Sequence, residues 1–142
     1  MLRIGKLTDY ALLIMSQMAK KQEMLLSTTQ LAEMLHLPLP TVSKILKMLS
    51  DAHLVSSQRG AEGGYRLAKN PVEITVADII AAMEGALSVT ECCEGLGRCA
   101  IDSSCMIREN FRVINKKIQA LLAQFTIIDL LKPLSLRGVL DV

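Results

Sequence analysis

The residues able to do chemistry crowd into one stretch, Cys92-Cys93-Glu-Gly-Leu-Gly-Arg-Cys99-Ala-Ile-Asp-Ser-Ser-Cys105, which holds all four cysteines of the 142-residue chain. Cys93, Cys99 and Cys105 fall at equal steps of six, among two glycines and several polar residues without a helical or strand period. Such a segment is predicted to be a loop that can turn its thiolates toward one point. Soft thiolates suit iron-sulfur clusters, zinc or copper(I), and the lack of paired Cys-x-x-Cys knuckles favours a cluster, 4Fe-4S or 2Fe-2S, over tetrahedral structural zinc. The plainer alternatives are two disulfides or four idle thiols.

Composition decides between some of these. Half of the chain is apolar (51%), enough for one core, while there is no Trp and only two Phe and two Tyr, so Leu, Ile, Val and eight Met must fill the interior. A formal net charge of +2 is too small to argue for nucleic-acid binding; only local placement of charge can. The apolar run from Tyr10 to Met18 is interrupted by Ser16 and Gln17 and followed by Lys20 and Lys21, which fits neither an export signal nor a span of about 20 apolar residues. A cytoplasmic protein with no membrane partner is expected, and a reducing compartment favours metal binding or redox sensing over disulfides.

The elements that would position the cysteine loop begin with an N-terminal helix, with Thr8 as its predicted N-cap, Asp9 in its first turn, and Leu7, Ala11, Ile14, Met15 and Met18 along one face. A second helix opens on the capping box Ser27-Thr-Thr-Gln30 with Leu26 and Leu31 at the staple positions. His36-Leu-Pro-Leu39 breaks the pattern before Pro40, which suits the first position of a third helix. There, Val42, Ile45, Leu46 and Leu49 take the buried spacing and leave Thr41, Ser43, Lys44 and Lys47 outward. Small hydroxyls and lysines on one face are what a recognition helix needs, although an ordinary solvated face would have the same composition.

Leu54–Gln58 and Tyr65–Lys69 read as two short strands around the glycine-rich turn Arg59-Gly-Ala-Glu-Gly-Gly64. Helix, helix and hairpin in this order make a winged helix, with Arg59 at the base of the wing as the natural cation for DNA backbone or minor groove. The candidate DNA contacts are Thr28, Thr41, Ser43, Lys44, Lys47, Arg59 and Gly60. A fourth helix opens on Thr75 and Asp78, buries Val76, Ile79, Ile80 and Met83, and stops at Gly85.

Beyond the cysteine loop, a long helix starting near Ser104 carries Ile107, Phe111, Ile114, Ile118, Leu121 and Phe125 at alternating steps of four and three. A heptad seam of this kind has no obvious burial within one small winged domain, so a homodimer is expected. Thr126-Ile-Ile-Asp129 reads as a capping box for a short helix that Pro133 ends. The fold class is thus mainly α with a small β-hairpin: a winged helix-turn-helix domain plus a long C-terminal dimerisation helix. Its expected organisation is a DNA-binding domain over 1–85, a cluster-binding loop over 86–105, the dimerisation and short terminal helices over 106–132, and a tail over 133–142.

With Leu7-Thr8-Asp9-Tyr10-Ala11, Leu31-Ala32, Arg59-Gly60, Gly63-Gly64-Tyr65, the Cys93/Cys99/Cys105 spacing and Asp129-Leu130, the chain resembles the dimeric winged-helix bacterial repressors that include the iron-sulfur regulator IscR and the nitric-oxide sensor NsrR. The resemblance covers most of the chain. It implies a homodimer on a double-stranded DNA operator, with a cluster held by Cys93, Cys99 and Cys105 and a promoter affinity that depends on it. IscR-type members carry a histidine three residues after the last cysteine; here that position is Arg108, which cannot ligate a metal while protonated. NsrR-type members can use an acid near the N-terminus from the other subunit, and Asp9 matches it. Adjacent thiolates rarely fit one cluster, so Cys92 is a spare ligand, a redox thiol or without a role.

The resulting expectation is a cluster-sensing transcriptional repressor, not an enzyme, acting on cluster-assembly genes of SUF type. A nitric-oxide-sensing repressor of detoxification genes and a zinc-stabilised DNA-binding protein are the alternatives. The two histidines, His36 and His53, stand near helix ends with no candidate nucleophile beside them.

Overall fold

The computed structural model describes residues 3–135. The chain runs α1 (Lys6–Lys20), α2 (Thr28–Leu35), α3 (Leu39–Asp51), β1 (Val55–Gln58), β2 (Gly64–Leu67), α4 (Val76–Glu84), α5 (Glu91–Glu94) and α6 (Arg108–Ala123). Short 3-10 turns at Pro71–Glu73 and Asp129–Leu131 complete it. This is the mainly α fold with one antiparallel hairpin and a long C-terminal helix that the sequence predicts. Of the expected tail, 136–142 lie outside the described residues.

The core forms where the helical periods place it. Ala11, Ile14 and Met15 of α1, Leu31 of α2, Val42, Ile45, Leu46 and Leu49 of α3, and Ile79 of α4 are all fully buried. Removing the Val, Leu, Ile and Met side chains among them from water stabilises the fold by about 1.5–3 kcal/mol each. Both interior capping boxes are complete. Ser27 Oγ accepts the Gln30 N–H at 3.1 Å while Gln30 Oε1 accepts the Ser27 N–H at 2.8 Å, and Thr75 and Asp78 repeat the exchange at 3.1 and 2.9 Å. They place the starts of α2 and α4 where the sequence puts them.

The wing pairs Val55 with Leu67 and Gln58 with Gly64. Leu26 adds a further antiparallel bridge, exchanging hydrogen bonds with Tyr65 at 2.9 and 2.8 Å, so the segment before α2 lies along the wing. That approach leaves no room at Gly64, where a Cβ would stand 2.8 Å from the Leu26 carbonyl oxygen, or at Gly63, where it would stand 2.2 Å from that of Gln58. The two glycines are steric requirements of the wing.

Three local expectations are corrected. Helix α1 begins at Lys6 after Gly5, so Thr8 is not its cap; Thr8 is buried and its hydroxyl hydrogen-bonds the Glu84 carboxylate, which also accepts the Gly5 N–H at 2.7 Å. Helix α6 begins at Arg108, because residues up to Met106 form successive turns, and it ends at Ala123, before Phe125. Thr126 and Asp129 form no reciprocal box: Asp129 Oδ2 accepts both the N–H and the hydroxyl of Thr126, at 2.7 and 2.9 Å. The chain there is bridged to the start of α4, with Val76 N–H donating to Phe125 at 2.8 Å and Ile127 N–H to Ile74 at 3.0 Å, and Ile127 is fully buried.

Candidate DNA interface and cysteine loop

Two regions carry the polar and reactive residues. On the first, α3 turns its apolar stripe into the core and leaves Ser43, Lys44 and Lys47 exposed, with Thr41 half-buried at its N-terminal end. Pro38 is its N-cap and Pro40 lies in its first turn, where a missing N–H costs nothing. Helix α2 packs against it and ends in a turn in which His36 adopts a left-handed conformation (φ 52°). Thr28 is the first residue of α2, half-buried beside its cap. Arg59 and Gly60 are exposed at the wing tip, and Gly60 has φ 118°, a conformation open to glycine. All seven candidate contacts therefore lie on the second helix, the third helix or the wing.

The second region is the cysteine segment between α5 and α6. Cys92 is buried and Cys93 half-buried within α5, and both sulfurs contact the Thr90 hydroxyl oxygen, at 3.1 and 3.2 Å. Cys93 Sγ also donates weakly to the Phe111 carbonyl of α6 at 3.6 Å. Cys99 and Cys105 are half-buried in the turns that follow. Among the described residues, no three Cys, His, Asp or Glu side chains are gathered closely enough to hold a metal ion. The structure thus brings Cys92 and Cys93 together and leaves Cys99 and Cys105 farther along the same loop.

The donor set fits a cluster chemically: three soft thiolates in one 13-residue stretch, Cys93 to Cys105, anchored at one end on α5 and at the other on α6. One carboxylate oxygen in this stretch, Asp102 Oδ1, is buried without a hydrogen-bond partner. Asp102 Oδ2 accepts the Gly97 N–H at 3.4 Å and lies 3.4 Å from the Arg108 guanidinium, which in turn donates to the Asp102 carbonyl at 3.1 Å. The Arg108 side chain is held further toward its charged form, first by Glu109 at 2.9 Å and then by Asp102. Arg108 is a brace of the loop.

Further contacts strap the loop's approach to α6. Asn115, buried in the middle of the helix, accepts the Val89 N–H at 3.0 Å and donates to the Leu87 carbonyl at 3.1 Å; Gln119 donates to the same carbonyl at 2.8 Å. Arg112 Nε donates to the Cys92 carbonyl at 3.2 Å. Sequence reasoning missed Asn115 and Arg112, though a polar residue inside an apolar heptad pattern is a recognisable sign of a specific partner. Asp9 is exposed on the first turn of α1. A cleft of about 680 Å³ lies between the N-terminal residues Arg3 and Ile4 and the group Thr90, Glu94 and Phe111.

One face of α6 remains open to solvent. Val113 (53% exposed) and Ile114 (43%) are open there, as are Ile107 (56%) and Met106 (96%) immediately before the helix, whereas Phe111, Ile118 and Leu121 are half-buried. No helix among the described residues is long and apolar enough to cross a membrane.

A helix-turn-helix with a wing, its third helix presenting hydroxyls and lysines, defines a DNA-binding protein of the winged-helix class. The chain belongs to the Rrf2 family of iron-dependent transcriptional regulators, which matches residues 4–133. It is therefore a DNA-binding transcriptional regulator and not an enzyme. It is 32% identical to the HTH-type transcriptional regulator NsrR of Oceanobacillus iheyensis over 137 residues, covering 92% of this chain and 90% of that one. Among solved structures it is similar to CymR (YrzC), the global cysteine regulator of B. subtilis, with TM-score 0.72 and 34% identity over 92% of this chain and 96% of that one. It is also similar to T. potens IscR, with TM-score 0.70 and 29% identity over 92% and 86% of the two chains. These three relatives have different names and comparable identity, so the family is defined more sharply than any branch of it.

Proposed function

We propose that this regulator is a homodimeric repressor that senses an iron-sulfur cluster bound by Cys93, Cys99 and Cys105, with Asp9 of the second protomer completing the set. The observation that carries the reading is the position of the three thiols: one loop, braced by Arg108 and strapped through Asn115 to α6. The exposed apolar residues at the start of α6 support dimerisation, because Ile107 and Ile114, one heptad apart, and the neighbouring Val113 are suited to bury against a second copy. A two-fold dimer presents two α3 helices to half-sites about one turn of DNA apart, or a multiple of that.

When bound, the cluster supplies redox and ligand-exchange chemistry that oxidants, nitric oxide or iron shortage can disturb. The chain's own residues do the rest. Cys93 sits against the Phe111 carbonyl and Arg112 holds the Cys92 carbonyl, so any rearrangement of the loop bears directly on α6. A change at α6 alters the spacing of the two recognition helices, and promoter occupancy follows. The targets proposed are cluster-assembly genes of SUF type, because the regulator then measures the product of its own regulon.

A second reading, a nitric-oxide-sensing repressor of detoxification genes, is favoured by the 32% identity to an NsrR across nine-tenths of both chains. Anaerobic purification with iron and sulfide assays, then operator binding with and without the cluster, tests the proposal. Colourless protein containing zinc and no sulfide would overturn it, and genes neighbouring the operator separate the two regulons.

A further inference from the structure

Cys92 is left over from this reading, and its surroundings are those of a site. Its sulfur and that of Cys93 meet on one hydroxyl oxygen, Thr90 Oγ1, at 3.1 and 3.2 Å. Both residues line a cleft of about 400 Å³, together with Gly95, Leu96, Arg112 and Lys116. Both are free thiols. We propose that Cys92 and Cys93 form a dithiol site for trivalent arsenicals.

The class of ligand follows from the donor count. Two adjacent soft sulfurs do not close a tetrahedral zinc site, which takes four protein ligands. A monosubstituted trivalent arsenic centre keeps its organic group as the third substituent and needs two thiols from the protein. Once one As–S bond forms, the neighbouring thiol attacks at high effective concentration, which makes the pair bind far more tightly than either thiol alone. With phenylarsine oxide, two As–S bonds form, the arsenic–oxygen bond breaks, and the two thiol protons leave with that oxygen as one water; no electrons are transferred. The site itself does not depend on the proposed cluster. Where Cys93 is a cluster ligand, the arsenical and the cluster exclude one another.

The chain contains its own means of locating the adduct. Trypsin cuts after Lys69, Arg98 and Arg108, so Cys92 and Cys93 fall on the peptide 70–98 and Cys99 and Cys105 on 99–108. The experiment treats reduced, cluster-free full-length protein with one equivalent of phenylarsine oxide, followed by digestion and mass spectrometry. The expected result is the phenylarsenic mass on 70–98, with affinity lowered at least tenfold in Cys92→Ala and in Cys93→Ala and unchanged in Cys99→Ala/Cys105→Ala. An adduct on 99–108, one joining the two peptides, or no adduct at all would overturn the site; peptide mapping of the unmutated chain gives this answer even where Cys92→Ala folds poorly. Iron and sulfide content, assayed separately, reports on the cluster reading and leaves this result standing either way.

Discussion

The guanidinium of Arg108 joins the first turn of α6 to Asp102 twice, 3.1 Å from its backbone carbonyl and 3.4 Å from its carboxylate. Asp102 lies between Cys99 and Cys105, so the contact fixes the loop's second half to the dimerisation helix. Arg108→Ala removes a charge-assisted hydrogen bond and a partly exposed, solvent-screened ion pair, a modest local loss. Local opening of residues 97–105 should become several-fold more frequent while global stability changes little. Amide hydrogen exchange reads this directly, and unchanged protection across 97–105 would show that Arg108 does not brace the loop.

Replacing Cys93, Cys99 or Cys105 with Ala should abolish iron and sulfide binding and leave a folded protein, whereas Cys92→Ala should keep the cluster. Full iron content in any of the first three variants would remove that residue from the ligand set. Asp9→Ala distinguishes two roles for the acid. As a ligand it changes the absorption spectrum or the oxygen sensitivity of the loaded protein; as a first-turn acid it contributes a few tenths of a kcal/mol up to about 1 to helix stability and alters neither.

On the DNA side, Lys44 and Arg59 are exposed on the recognition helix and the wing. If each neutralises a phosphate, Lys44→Ala or Arg59→Ala weakens operator binding and reduces the slope of log affinity against log salt by roughly one. A titration at four salt concentrations separates this from loss of base readout, which lowers affinity for the operator without altering its salt slope.

The parts of the fold that the sequence makes legible are those determined by local rules. Ser27/Gln30 and Thr75/Asp78 are capping boxes because both partners are short in sequence separation, and the stripe Val42, Ile45, Leu46, Leu49 is buried because period alone selects it. What escaped depends on long-range packing. Thr8 looks like a cap until Glu84, 76 residues away, takes its hydroxyl. Thr126 and Asp129 have capping-box spacing, yet Ile127 between them is drawn into the core by pairing with Ile74. At the site, cysteine spacing identifies the candidate ligands, but Asn115 and Arg112 gain their roles only when α6 packs on the segment 87–92.

His36 ends α2 with φ 52° and ψ 42°, donating its N–H to the carbonyls of Ala32 and Glu33. A side chain in this left-handed region costs about 1–2 kcal/mol that glycine does not incur. Glycine's larger entropy in the unfolded chain offsets part of this, so His36→Gly should raise stability by about 0.5–1 kcal/mol and the melting temperature by a few degrees. His36→Val should lower both, because a β-branched residue tolerates the conformation poorly. Thermal unfolding of the two variants side by side is the measurement, and equal shifts in the same direction would show that backbone strain does not limit this turn.

Asp129 links the C-terminal segment to acid stability. Its carboxylate accepts the N–H and hydroxyl of Thr126, backbone first, and is thereby held below the ordinary carboxylate value of 3.8. A carboxylate with a lowered folded-state pKa contributes stability that is present above its unfolded value and lost as pH falls through the folded one. Above about pH 3.8 the contribution is complete, and below it protonation progressively releases Thr126. Asp129→Asn should therefore be less stable than the parent at neutral pH, with the gap closing as pH falls below 3.8. Thr126→Val removes the hydroxyl but leaves the backbone donor, so it should show a smaller deficit with the same dependence on pH. Denaturant unfolding from pH 7 down to about pH 3 measures both. A gap between parent and Asp129→Asn that stays constant with pH would mean that the carboxylate's charge contributes nothing to holding Ile127 in the core.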